Sequence, residues 1–238
     1  MTNITKFVIY GERCSGNNYL ENVIITNFGL ELRNDFGSKH FFCFNKYDRP
    51  LDDTLFIGIV RNPIYWINSF SRELHHIPNE NKSLSSFLHN EFYSVDDNSN
   101  DLILKDLNYA TMKKYTNIFE LRKMKNFYLL NVMPKKVKNY ILINYESLLY
   151  NYEYTLDFIK DKFNLLPKFP IYKQIKTYKK SDNYSFVKQR IILLNPVVVN
   201  YIWNNLHIVQ ETRLGYLKGD NNETFKNNRI FFKIRRKS

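Results

Sequence analysis

Three stretches of the chain carry unbroken apolar runs, and each is followed by a segment whose apolar positions recur at helical spacing. Phe7 to Tyr10 reads as a strand; after a glycine-containing turn, Leu20, Val23, Ile24 and Phe28 share one face of a helix over Asn18 to Phe28. Leu55 to Val60 is a second strand, halted at Arg61-Asn62-Pro63, and Pro63 suits the first turn of the next helix. Tyr140 to Tyr145 is a third, ahead of Glu146-Ser147-Leu148-Leu149 and a helix from Tyr154 to Phe163. Strands without polar alternation are covered on both faces, so the pattern predicts an α/β protein with a parallel sheet flanked by helices. Further helices are expected over 84–90, 107–132 and 196–214. No repeat period and no Pro/Gly/Ser-rich linker interrupts the pattern, which predicts one domain over 1–219 and a basic tail over 220–238. The last 13 residues hold six basic and no acidic side chains.

Composition narrows the class. The chain has 238 residues, 44% hydrophobic and 24% charged, with only 7 Gly and 7 Pro, which suits a folded domain and excludes a disordered or collagen-like chain. Cys14 and Cys43 make no disulfide framework, and no apolar run reaches the roughly 20 residues of a membrane helix. The N-terminal residues lack the features of a signal peptide, so the expectation is a soluble, intracellular, cytoplasmic protein. The net charge of +12 is regional: residues 1–110 hold 10 Lys/Arg against 14 Asp/Glu, or −4, and residues 111–238 hold 25 against 9, or +16. Such an excess suits nucleic acid, an anionic membrane surface or a polyanionic small molecule or glycan. AT-rich codon usage, which supplies Asn, Lys, Ile, Tyr and Phe, accounts for it equally well.

Ligands of parallel α/β sheets bind outside the carboxyl ends of the strands, which directs attention to Gly11-Glu12-Arg13-Cys14-Ser15-Gly16-Asn17-Asn18. Main-chain N–H groups converging at a helix N-terminus form a ready anion site. The Walker pattern G-x-x-x-x-G-K-[ST] matches at Gly11 and Gly16 and then fails, because Asn17 and Asn18 replace its Lys and Ser/Thr. A nucleotide kinase is thereby disfavoured. An ordinary strand-to-helix turn is the competing reading. At the second loop, Arg61 stands at a strand tip and Ser69 eight residues later on the following helix, an arrangement that can clasp one phosphate from two sides.

With both loops in view, the sequence resembles the sulfotransferases that use 3′-phosphoadenosine 5′-phosphosulfate. YGERCSGNNYL is similar to the loop that cradles the 5′-phosphosulfate, and RNPIYWINS to the R-[ND]-P-x5-S element for the 3′-phosphate. INYESLLYNYEYTLDFI is similar to the family's Tyr-Glu-[DS]-Leu segment, and ETRLGYL to its ending; together these span residues 7 to 217. The resemblance implies a three-layer, P-loop NTPase-like sulfotransferase fold and transfer of a sulfuryl group to a hydroxyl or amine, with carbohydrate favoured as acceptor. It implies no metal and no specific nucleic acid. The alternative is a non-catalytic nucleotide- or polyanion-binding module of the same fold.

Two departures bear on chemistry. Where the family commonly has Lys before the S-G of the first loop, this chain has Cys14, so Arg13 is expected to supply the positive charge. Asn17 stands where Thr is common, keeping the main-chain N–H and losing the hydroxyl. Cys14, near a helix N-terminus, is either a nucleophile of lowered pKa or filler, and the family needs no covalent intermediate. The donor-binding set implied by the resemblance is thus Arg13, Cys14, Ser15, Gly16, Asn17, Asn18, Arg61, Ser69 and Tyr145, the last either at the nucleotide or packed at a strand end. His40, in the interval where cytosolic sulfotransferases carry a Lys-x-His or Lys-His base, is implied as general base; an unperturbed pKa near ~6.5 leaves it largely neutral at pH 7. A packed histidine is the competing reading. Lys39 is implied to steady the transferring group, and a solvated strand-end lysine competes. His75 and His76 are the next candidates for the base, then Glu12. Lys173, Lys176, Lys179, Lys180 and Lys188 fall where the family closes a basic loop over the 3′-phosphate. No Cys/His cluster has metal spacing.

Overall fold

The computed structural model describes residues 3–40, 51–176, 194–220 and 224–225. Cys43, Lys179, Lys180, Lys188 and nearly all of the expected basic tail lie outside them. Four parallel strands form one sheet in the order β2-β1-β3-β4: β1 (Lys6–Tyr10), β2 (Glu31–Leu32), β3 (Thr54–Val60) and β4 (Tyr140–Asn144). Every residue of β3 is buried, as expected of a central strand covered on both sides. Its side chains alternate between two cores. Leu55, Ile57 and Ile59 join Phe7, Ile9, Ile141 and Ile143 beneath α1 (Asn17–Phe28), α6 (Tyr145–Tyr150) and α7 (Tyr152–Phe163). Phe56 and Val60 join Val8, Tyr10, Tyr140 and Leu142 beneath α2 (Pro63–Phe70), α3 (Leu84–His89), α4 (Ile118–Phe127) and α8 (Pro196–Asn205).

The expected parallel α/β architecture is present, with differences at its margins. β2, two residues long, is too short to leave a periodic signal. The helix expected over 107–132 begins only at Ile118, where the Asn117 side chain accepts from the N–H groups of Phe119 and Glu120. Upstream, Tyr115 pairs with Phe92 as an isolated antiparallel bridge, and downstream Tyr128–Val132 is a π-turn that continues into α5 (Met133–Lys136). The helix expected over 196–214 is two helices. Leu206, extended, ends α8, and the His207 ring accepts from the N–H of Gln210 to start α9 (Ile208–Arg213). Among the described residues no helix is long and apolar enough to cross a membrane.

From β1 the chain passes through α1 to β2 on one side, then returns to β3 on the other, so the strand order reverses between β1 and β3. In open α/β sheets ligands bind beyond the carboxyl ends of the strands at such a switch point, which here lies between β1 and β3. The loops after Tyr10 and Val60, which carry the two candidate motifs, flank it.

Candidate nucleotide site

The first loop turns tightly. Cys14 and Gly16 both take left-handed backbone conformations, at φ 62 and φ 96. Gly16 is required twice over, because a Cβ there would also lie 2.2 Å from the Tyr145 ring. Tyr145, the first residue of α6, thus lies against the loop's closing glycine. Gly16 caps α1 without a side chain, and no partner among the described residues meets the main-chain N–H groups of Cys14, Gly16, Asn17 and Asn18. These donors and the helix dipole suit an anion.

The loop's polar side chains mostly point elsewhere. Arg13, expected to supply positive charge, is 6% exposed. Its guanidinium donates to Ser94 Oγ at 2.7 Å and to the His75 carbonyl at 3.1 Å, lies 3.5 Å from Asp106 Oδ2, and covers the Phe70 ring at 4.6 Å. Its charge is therefore held inside the protein. Asn17, at the Walker lysine's position, is also buried and donates from Nδ2 to the Glu12 carbonyl at 2.9 Å. Ser15 is buried, its N–H bonded to the same carbonyl at 3.1 Å. Asn18 is exposed, and its Oδ1 accepts from the Lys39 ammonium, which also pairs with Glu21 at 3.3 Å. Lys39 thereby stands over the first turn of α1.

Arg61 reaches the first loop from the second. Its guanidinium donates to the Cys14 carbonyl at 2.9 Å and covers the Tyr145 ring at 4.8 Å, while Nε is buried with no hydrogen-bond partner. A buried, unpaired charged donor is costly. Ser69 hydrogen-bonds the Cys14 thiol, so the two motifs meet at that residue. Burial pushes this thiol up to about 11 despite the Ser69 bond and the nearby Arg61 charge; the residue is a thiol at neutral pH, which favours filler over nucleophile.

The outlying resemblances have structural explanations. Glu146 of the Tyr-Glu-Ser-Leu segment accepts from the Asn62 N–H at 3.0 Å and from the Tyr216 hydroxyl at 2.9 Å, joining the second loop to the chain's last described turn. Burial raises its pKa, opposed by those bonds and by Arg61. Glu211 of ETRLGYL pairs with Arg122 through two 2.7 Å contacts, and Arg122 donates to the Arg61 carbonyl at 3.0 Å. Arg61 and Asn62 are thus held from behind by residues 61 and 84 positions away. Nothing in the spacing of Arg122 marks it for this task.

His40 lies beside the first loop. Its Nδ1 is 3.0 Å from the Gly11 carbonyl, which can only accept, so Nδ1 carries the proton and Nε2 is left as acceptor. Burial lowers its pKa to about 3, reinforced by the charges of Lys39, Arg13 and Lys125 and opposed by the Gly11 bond. His40 is accordingly neutral through the physiological range, and a weaker base than an ordinary imidazole. His75 and His76 form an exposed cluster with Asp97 and Glu73, on the far side of Arg13's bond to the His75 carbonyl. Glu12 is paired with Lys125 at 2.6 Å. Lys173 covers the Phe169 ring, and its main chain bonds Asn27. Among the described residues no group of three or more His, Cys, Asp or Glu could hold a metal ion. No family profile, curated relative or solved structure matches the chain.

Proposed function

We propose that the switch point between β1 and β3 binds a 3′-phosphorylated adenine nucleotide, and that the protein is a sulfotransferase using 3′-phosphoadenosine 5′-phosphosulfate. The observation that carries this is Arg61 beside the open N–H groups of the first loop: a guanidinium at the switch point, bonded to the Cys14 carbonyl. In this reading the open N–H groups of Gly16, Asn17 and Asn18, with Lys39, take the 5′-phosphosulfate, and Arg61 with Ser69 takes the 3′-phosphate. Two cations and a helix N-terminus fit a donor with two separate anionic ends. The acceptor hydroxyl oxygen attacks sulfur, its proton passes to His40 Nε2, and the breaking S–O bond leaves its electron pair on the nucleotide phosphate. Positioning and charge stabilisation carry most of such a transfer.

A second reading, a nucleotide- or polyanion-binding module without turnover, is favoured by one specific observation: Arg13 and Asn17 are spent inside the protein and His40 is a weak base. Titration calorimetry with 3′-phosphoadenosine 5′-phosphate, and with ATP plus magnesium, tests the site. Preference for the former without magnesium is expected, and preference for ATP with magnesium would sink the sulfotransferase reading. Tight binding of the former with no sulfuryl transfer to any member of a hydroxyl and amine panel, carbohydrates included, would favour the binding module.

A further inference from the structure

Beneath the first loop lies a buried cluster of two carboxylates and two cations that the donor site does not use: Glu12, Asp106, Arg13 and Lys125. The Lys125 ammonium is its hub. It lies 2.6 Å from Glu12 Oε2, bonds Asp106 Oδ1, and donates to the His40 carbonyl at 2.9 Å. Its acceptors therefore come from the donor loop, from the short 3-10 turn Leu104–Asp106, and from the segment ahead of β3. The contacts with Asp106 and the His40 carbonyl are hydrogen bonds, and that with Glu12 is a close ion contact.

We propose that Lys125 is a positioning residue that holds His40 against the donor loop and fixes which ring nitrogen faces the proposed site. Three ties join residues 39–40 to Gly11-Glu12: Gly11 N–H to the Lys39 carbonyl at 3.0 Å, His40 Nδ1–H to the Gly11 carbonyl at 3.0 Å, and the Lys125 bridge from Glu12 to the His40 carbonyl. The first two are single hydrogen bonds between neighbouring loop segments. Among the described residues only Lys125 reaches both segments from another layer of the fold, α4. Stability is a poor explanation for such a hub, because buried ion pairs roughly break even with well-packed apolar side chains. What an ammonium held between two carboxylates and bonded to the His40 carbonyl adds is a defined geometry. The placement rests on His40 belonging to the proposed site, yet it can be read without nucleotide.

The test is nitrogen-15 NMR of the histidine rings in the full chain, with His40→Gln assigning the His40 signals. Wild type is expected to hold His40 as the Nδ1–H tautomer, uncharged down to about pH 4, below the ordinary imidazole midpoint near ~6.5. The variant Lys125→Met with Glu12→Gln keeps the cluster's net charge at zero and so guards against unfolding. There the tautomer preference should be lost, and the titration should rise by more than ~1 pH unit as the ring leaves the Gly11 carbonyl and its partly buried place. A folded double variant with an unchanged His40 tautomer and midpoint would overturn the proposal. So would wild-type protein whose His40 titrates near ~6.5 as the Nε2–H tautomer, whatever the variants do. Both readings are taken with no nucleotide present, so the calorimetry that tests donor binding fails or succeeds independently.

Discussion

Arg13 and Arg61 occupy similar places, each just past the tip of a central strand, and they are spent in opposite ways. Arg13 is sealed by Ser94, Asp106, the His75 carbonyl and two aromatic rings. Arg61 makes one main-chain bond and covers Tyr145. The difference follows from what each loop packs against. The first loop lies over a cluster that contains Asp106, which draws a guanidinium inward; the second is held through its main chain by Glu146 and Arg122, which leaves its side chain available. A cation's value to a ligand is thus set by the partners it already has.

The largest expected effect separates the two arginines by kind. Arg13→Ala leaves Asp106 and Glu12 short of a cation in a dry place, so it should destabilise the fold by about 3–5 kcal/mol in urea unfolding. Arg61→Ala should leave stability nearly unchanged and weaken 3′-phosphoadenosine 5′-phosphate by roughly 1.5–3 kcal/mol, or about 10- to 150-fold. If Arg13→Ala stays as stable as wild type and loses the nucleotide instead, the comparison is reversed and Arg13 is the phosphate cation after all.

A smaller effect reads the ground between the loops through pH. The folded-state pKa of His40 is lowered to about 3, so between there and its unfolded value the unfolded chain takes up the proton first. Stability from this group is fully present above ~6.5 and is lost as pH falls toward the folded value, by at most about 1.4 kcal/mol per pH unit. His40→Gln should flatten that slope in unfolding experiments between pH 6 and 4. In turnover, the low pKa means that no ascending limb from His40 should appear above pH 5. A limb near the ordinary imidazole value that vanishes in the variant would place the ring in water.

Much of this arrangement was legible in the sequence, for a physical reason. Unbroken apolar runs report strands buried on two faces, and the run in β3 reports itself along its whole length. Gly16 is legible because only glycine suits a left-handed cap pressed against a ring. Side-chain destinations are not legible in this way. Arg13 and Arg61 look alike in sequence because what distinguishes them is a partner far along the chain: Asp106, 93 residues away, draws the Arg13 guanidinium inward. Lys125 sits in a basic stretch with Lys123 and Lys113, and long-range burial, not spacing, sets it apart. The break in the helix expected over 107–132 has a local cause in Asn117, whose capping role competes with helix continuation.

The finest distinction concerns the point where the two loops touch. Ser69 and Cys14 share a hydrogen bond, and the Arg61 guanidinium holds the carbonyl of the same cysteine. If Ser69 also contacts the 3′-phosphate, Ser69→Ala should weaken the nucleotide by about 1 kcal/mol, a neutral hydroxyl being worth less than the charge-assisted contact of Arg61. Cys14→Ser replaces a thiol that burial keeps protonated with a hydroxyl that can still meet Ser69, and it leaves the Cys14 carbonyl in place for Arg61. It should therefore change affinity by less than Ser69→Ala does, and turnover should survive. Calorimetry on the two variants ranks them directly. A Cys14→Ser variant that binds nucleotide normally and has lost all turnover would instead require a thiol in the chemistry, and the contrast between a spent first loop and an available second one would have to be redrawn around Cys14.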